Sequence, residues 1–390
     1  MGSGVDGRDF LPALRGALAL AAAMGIGRFA YTALLPETQL ALGAGDDVAG
    51  ALASANLLGY LAGVLAARQL AGRRERGGAL RLGLAVTALA TALGAATTSL
   101  AAWAVLRVAA GVASGLVFVL ASAAALEAAA SHAGLLYSGV GLGIALSGSV
   151  AALAPPGAGY RPPWLALALI ASGLSLPAFR SLAGPPGALA APAAARAPGG
   201  SPLGLSRLSA AYFLEGFGYI VSGTFAVAAV RRTPGLEDLA PWTWVLTGLA
   251  AVPSALLWAS FGRHLGTARA LAAAHLLQAV GMSLPCLWRS PAAALAGAAL
   301  FGGTFMGITT LAMAAGRRLA PEAPGRIVGT LTAVYGVGQV LGPLVAGALS
   351  KRLGDPAPAV LLAAGAVALG GALLVAPVPF RGRAPATPTP

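Results

Sequence analysis

Three ionisable side chains stand inside long apolar runs, where a charge is costly: Arg28, Arg107 and Glu215. Near the middle of a bilayer an ionised group costs at least about 2.5 to 3.5 kcal/mol, so it persists only where a cavity, a partner or a function accounts for it. A guanidinium can grip a carboxylate or phosphate through two parallel hydrogen bonds. A carboxyl group in poorly solvated surroundings can take up and release a proton as those surroundings change. The chemistry on offer is anion recognition at the arginines and proton exchange at Glu215. Each residue also has a plainer role: an arginine bonding backbone carbonyls, or a glutamate fixed in a salt bridge that holds helices together. Other chemistries lack their parts. His132, His264 and His275 lie far apart and Cys286 is the single cysteine, so no metal-ligand spacing and no intramolecular disulfide is available. No Gly-x-x-x-x-Gly-Lys-Ser/Thr loop offers a nucleotide site, and no nucleophile stands with a partnered base. No cofactor, metal or enzymatic activity is expected.

The elements that carry these residues are membrane spans. The chain has 390 residues, of which 57% are hydrophobic and only 9% charged, against about a quarter charged in soluble domains. Twelve apolar runs read as helices over 11–36, 48–70, 79–97, 99–126, 134–154, 163–180, 207–230, 240–261, 267–287, 291–316, 325–349 and 357–377. Acids at Asp46 and Asp47 open the second run, and Pro155-Pro156-Gly157 follows the fifth. The first residues lack the charged start and small-residue cleavage site of a secretory signal, so the first span is expected to be retained. A net charge of +13 does not point to nucleic acid, because the cations are scattered between apolar runs with no long basic block. With both termini cytoplasmic, 17 basic residues fall in inner segments and 6 in outer loops. That asymmetry selects the N-in, C-in orientation in a bacterial inner membrane. Arg28 and Arg107 then lie eight and about nine residues from the outer ends of spans 1 and 4, roughly 12 to 14 Å deep at 1.5 Å per residue.

A Pro-, Gly- and Ala-rich stretch over 181–206 reads as a cytoplasmic linker that divides the spans into bundles over 1–180 and 207–380, with a tail at 381–390. The halves echo one another. Gly25-Ile26-Gly27 matches Gly216-Phe217-Gly218 at a spacing of 191, and Gly139-Val140-Gly141 matches Gly336-Val337-Gly338 at 197. Arg107-Val-Ala-Ala-Gly111 resembles the span-4 Arg-x-x-x-Gly motif of the major facilitator superfamily, and Gly336 to Pro343 its glycine-rich Gly-Pro motif, better known in span 5. The basic run from Arg68 to Arg76 stands where that family has its loop 2–3 motif, without the usual Gly-x-x-x-Asp-Arg start. Gly25 to Pro36, followed by Ala53 to Gly63, is similar to the YbfB/YjiJ-type branch.

The resemblance implies an all-α polytopic membrane protein with twelve transmembrane helices in two pseudo-symmetric six-helix bundles, the major facilitator fold. It also implies that spans 1, 4, 7 and 10 line a central cavity, which brings Arg28 and Arg107 to one site as a substrate clamp. Glu215 falls opposite Met24 in the repeat, about one turn from the level of Arg28, as the proton-coupling residue. Tyr31, Asn56 and Gln339 lie beside the motifs and are expected to contact substrate; Tyr60, Tyr137, Tyr212, Tyr219 and Tyr335 are further polar candidates. The function so implied is secondary active transport of a small organic anion or zwitterion by alternating access, coupled to protons, by a monomer in the lipid bilayer. Proton-antiport efflux of drugs or metabolites uses the same parts. A transporter-like sensor and a polytopic membrane enzyme are the non-transport alternatives.

Overall fold

A computed structural model describes residues 7–70, 74–129, 132–155, 157–181, 202–319 and 324–375. Among them the regular structure is helical. Eleven helices are long and apolar enough to cross a membrane: α4 (Asp46–Leu70), α5 (Arg76–Ala96), α6 (Leu100–Ala129), α7 (Ala133–Ala152), α8 (Arg161–Ser181), α9 (Pro202–Arg231), α10 (Ala240–Leu265), α11 (Thr267–Leu287), α12 (Pro291–Leu319), α13 (Pro324–Leu353) and α14 (Ala357–Val375). The expected first span is present but broken. It runs as α1 (Gly7–Leu20), a π-helical turn (Ala21–Ile26), a bend at 27–29, α2 (Ala30–Ala33) and α3 (Leu35–Leu42). Gly25 and Gly27 are weak helix formers, and the amides of Gly27 and Phe29 reach back five residues to Ala22 and Met24. Pro36 falls in the first turn of α3, where its missing N–H costs no hydrogen bond. Most of the expected linker, residues 182–201, and the tail at 381–390 lie outside the described residues. Pro202 to Ser206, read as linker, form the start of α9.

The outward faces are apolar. Leu82 and Leu89 on α5, Leu169 and Leu176 on α8, and Leu362 and Leu369 on α14 are exposed at two-turn spacing. Exposed stripes of this kind suit a hydrocarbon solvent and not water.

Packing repeats along the chain. The segment of α1 packs on α7 and α8, α4 on α6, and α5 on α6 and α8; likewise α9 packs on α13 and α14, α10 on α12, and α11 on α12 and α14. Two long contacts cross between these sets, α4 with α13 and α7 with α10. Small residues allow the close approaches, as in small-xxx-small packing in lipid. Gly59 and Gly63 of α4 lie on the carbonyls of Val108 and Val112, while Gly111 and Gly115 of α6 lie on those of Asn56 and Tyr60. A methyl at Gly111 would collide with the α4 backbone. The Arg-x-x-x-Gly motif thus works as a helix seam that carries Arg107 against α4. Gly139 rests on the Ala17 carbonyl and Gly338 on that of Phe213.

Candidate functional site

The broken segment after α1 delivers Arg28 to the middle of the molecule. Its side chain is 5% exposed and lines a cavity of ≈ 440 Å³ between the two sets of helices. The guanidinium lies 4.5 Å from the Tyr60 ring centroid and 5.0 Å from that of Phe29. It donates from Nη2 to the Tyr219 hydroxyl at 2.9 Å, and Nε is buried without a partner. Gln339 donates to the same hydroxyl at 2.7 Å. Among the described residues no carboxylate forms an ion pair with Arg28 or Arg107.

The cavity runs from this cluster to the end of the molecule where α1 begins. There Arg68, at the end of α4, and Arg317, at the end of α12, are exposed and line its mouth. Three arginines and no acid line the space, so its field favours anions. Eight aromatic residues stand in the walls: Phe29, Tyr60, Phe118 and Tyr137 on one side, and Tyr212, Tyr219, Phe305 and Tyr335 on the other.

The opposite end is shut. Thr32 donates to the Gly223 carbonyl, and Ser54 to that of Val340 at 2.8 Å. Beyond them Arg232 grips Asp46 with two bonds of 2.7 Å, and Gln39 donates to the same carboxylate at 2.8 Å. The carboxylate of Asp46 raises the already high pKa of Arg232 further, so this pair stays charged on the arginine side. Lys351 meets Asp47 at 2.7 Å and Arg231 meets Glu37 at 2.8 Å. Gly50 rests on the Pro343 carbonyl and Gly347 on that of Asp46, so α4 and α13 nearly touch here.

Of the residues singled out in the sequence, Arg28 and Gln339 line the cavity, joined by Tyr60, Tyr137, Tyr212, Tyr219 and Tyr335. Arg107, Tyr31 and Asn56 lie behind Arg28, around a separate void of ≈ 10 Å³, room for one water at most. Arg107 donates to the carbonyls of Leu52 and Arg28, each at 3.4 Å, and stacks 4.5 Å from the Tyr31 ring centroid. The Arg28 carbonyl is open to it because the amide of Thr32 bonds Phe29 instead. Asn56 donates to the Arg107 carbonyl at 2.9 Å, and the Tyr31 hydroxyl to that of Ala49 at 3.2 Å. These three side chains brace the helices that present Arg28.

Glu215 is 1% exposed and outside the cavity lining. It accepts from Gln278 of α11 at 2.8 Å, Thr304 of α12 donates to Gln278 at 3.2 Å, and the second carboxylate oxygen has no partner. Gln278 escaped the sequence reading, since one amide in an apolar helix gives no spacing signal. In the sequence Arg317 stands only as a topological charge, and Arg68 also as the start of the basic run. Glu127, at the end of α6, pairs with Arg76 at 2.8 Å.

A family described as an uncharacterised MFS-type transporter, YbfB, matches residues 20–375. None of the curated proteins matches the sequence. Among solved structures, the nucleoside transporter NupG superposes with a TM-score of 0.70 at 13% identity, covering 93% of this chain and 98% of its own. A point mutant of NupG reaches 0.76 at 12% identity with the same coverage. A bacterial homologue of the human lysosomal transporter Spinster, inward-facing and unoccupied, superposes at 0.65 with 14% identity and 96% of both chains covered. At such identities the likeness shows the fold alone.

Proposed function

The chain belongs to the YbfB-type MFS transporter family, and from that premise we propose that it carries a small organic anion across a bacterial inner membrane by alternating access. The supporting observation is the Arg28 guanidinium, buried in a cavity without a carboxylate to neutralise it. A buried charge is tolerated when a partner completes it, and here the substrate is that partner. The two six-helix halves, 1–180 and 207–380, rock about the cavity. The present arrangement is the inward-facing one, with the mouth at Arg68 and Arg317 on the cytoplasmic side. Loading Arg28 neutralises the charge that faces the second half across Tyr219, and release of the Asp46–Arg232 contacts then opens the other side.

Glu215 serves as the proton carrier. It is the buried acid of α9, one oxygen is free, and it sits one helical turn from Tyr219, so a change in its charge is felt by the helix that holds Arg28's partner. The protein works as a monomer, and uptake by symport and efflux by antiport use the same cycle.

The test is reconstitution in liposomes with a pH-sensitive dye, adding carboxylates, phosphorylated metabolites, amino acids and cationic drugs. The expected result is proton movement driven by anions and not by cations, abolished in Arg28→Ala, with Glu215→Gln still binding the anion but moving no protons. Anion-driven flux that survives Arg28→Ala refutes the site, and cation-driven flux refutes the substrate class.

A further inference from the structure

Three arginines, three threonines, five tyrosines and Gln339 bring polar groups to the cavity. The hydroxyls of Thr309, Thr310 and Thr332, which line it, each donate to a carbonyl one turn back in their own helix, at 3.2, 2.9 and 2.7 Å. The Gln339 amide is committed to Tyr219. The Tyr219 oxygen accepts from both Arg28 and Gln339, so its own O–H is free to donate to a ligand beside the guanidinium. The anionic end of a substrate on Arg28 therefore meets the buried guanidinium and, beside it, the Tyr219 O–H.

The rest of the wall suits a flat ring. Phe305, Tyr219, Tyr335 and Tyr212 follow one another with interplanar angles of 12°, 12° and 17°, and centroid separations of 6.0, 5.6 and 4.4 Å. Rings stacked in this way cover much of one another's faces and leave their rims for a neighbour, and a flat aromatic guest packs edge-to-face against such rims better than a branched chain does. Met24, Met306 and Met313 add polarisable sulfur to the lining. On the facing wall Tyr60 holds the Arg28 guanidinium over its ring.

We propose that the substrate is an aromatic monocarboxylate, its carboxylate on Arg28 and the Tyr219 O–H and its ring along the wall from Phe305 to Tyr212. This rests on the anion reading above and names the class of anion.

The experiment is isothermal titration calorimetry of the purified full-length protein with benzoate, 1-naphthoate, cyclohexanecarboxylate, benzamide, succinate and inorganic phosphate. The expected order places 1-naphthoate and benzoate about three- to tenfold tighter than cyclohexanecarboxylate, with no heat from benzamide. Phe305→Leu should erase the preference for a ring while carboxylate binding persists. Tyr219→Phe should weaken aryl and alicyclic acids alike, and thermal unfolding of each variant reports that it is folded. Equal or tighter binding of cyclohexanecarboxylate overturns the aromatic assignment and leaves the anion reading standing. Binding of succinate or phosphate without any aryl carboxylate does the same. Benzamide binding as well as benzoate overturns the anion reading itself, and silence from both aryl carboxylates at millimolar concentration overturns this inference.

Discussion

The two ends of the molecule treat charge in opposite ways. At the closed end Asp46, 6% exposed, is met by Arg232 and Gln39, and Asp47 and Glu37 each have a cation across the interface. In the open cavity Arg28 is as deeply buried, yet it faces neutral phenols and an empty volume. Charge completed by the protein holds helices together; charge left incomplete has to be completed by something that comes and goes. The same contrast recurs over a few ångströms between the two buried arginines. Arg107 spends its donors on the backbone of α4 and the bend, whereas Arg28 keeps Nε free.

The contrast can be broken most severely at Arg28. Arg28→Ala should lower anion affinity by about 10- to 100-fold, the value of a charge-assisted bond of about 1.5 to 3 kcal/mol, with little loss of thermal stability because no ion pair is broken. Titration calorimetry beside thermal unfolding checks both halves of that statement, and an affinity within about twofold of wild type would refute the role. Arg107→Ala should give the reverse pattern. It strips two carbonyls of their donor and lowers stability by about 1 to 3 kcal/mol, read as a lower unfolding temperature in detergent. A normal melting curve with lost binding would move Arg107 from brace to ligand.

At the closed end, Asp46→Ala removes a two-bonded contact that is half-exposed on the Arg232 side. After discounting for solvent screening it should cost about 1 to 2 kcal/mol. The expected sign is easier opening of that end, seen as faster labelling of Val340→Cys by an impermeant thiol reagent in a Cys286→Ser background. Unchanged labelling would mean that the helix seam at Gly50 and Gly347 holds the end shut without the ions. The smallest effect belongs to Lys351→Ala. Its pair with Asp47 is well exposed, so transport and labelling should stay close to wild type; a large change would show that the outermost pair, and not Asp46, is the lock.

Much of this was legible along the chain. Apolar runs long enough to cross a bilayer gave helix ends within a few residues for eleven of the spans, because hydrocarbon thickness fixes helix length. Arg28 stood out because lipid makes a charge conspicuous. The break that positions it did not, since an apolar run looks the same whether it folds as one helix or as a helix, a π turn and a bend; Gly25 and Gly27 were the hint.

What the sequence could not supply was rotation about each helix axis. In a soluble protein, water marks the outer face with polar residues, so periodicity gives the inner one. Here lipid and neighbouring helices are both apolar, and the faces of α6 and α9 read almost alike. The amino-acid sequence by itself determined the number of spans, their repeat and the residues too costly to be incidental. Tertiary structure alone decided that Arg28 turns into the cavity, that Arg107 turns to the α4 backbone, and that Glu215 turns to Gln278, because those directions come from how glycine seams set the helices against one another and not from any contrast written along one helix.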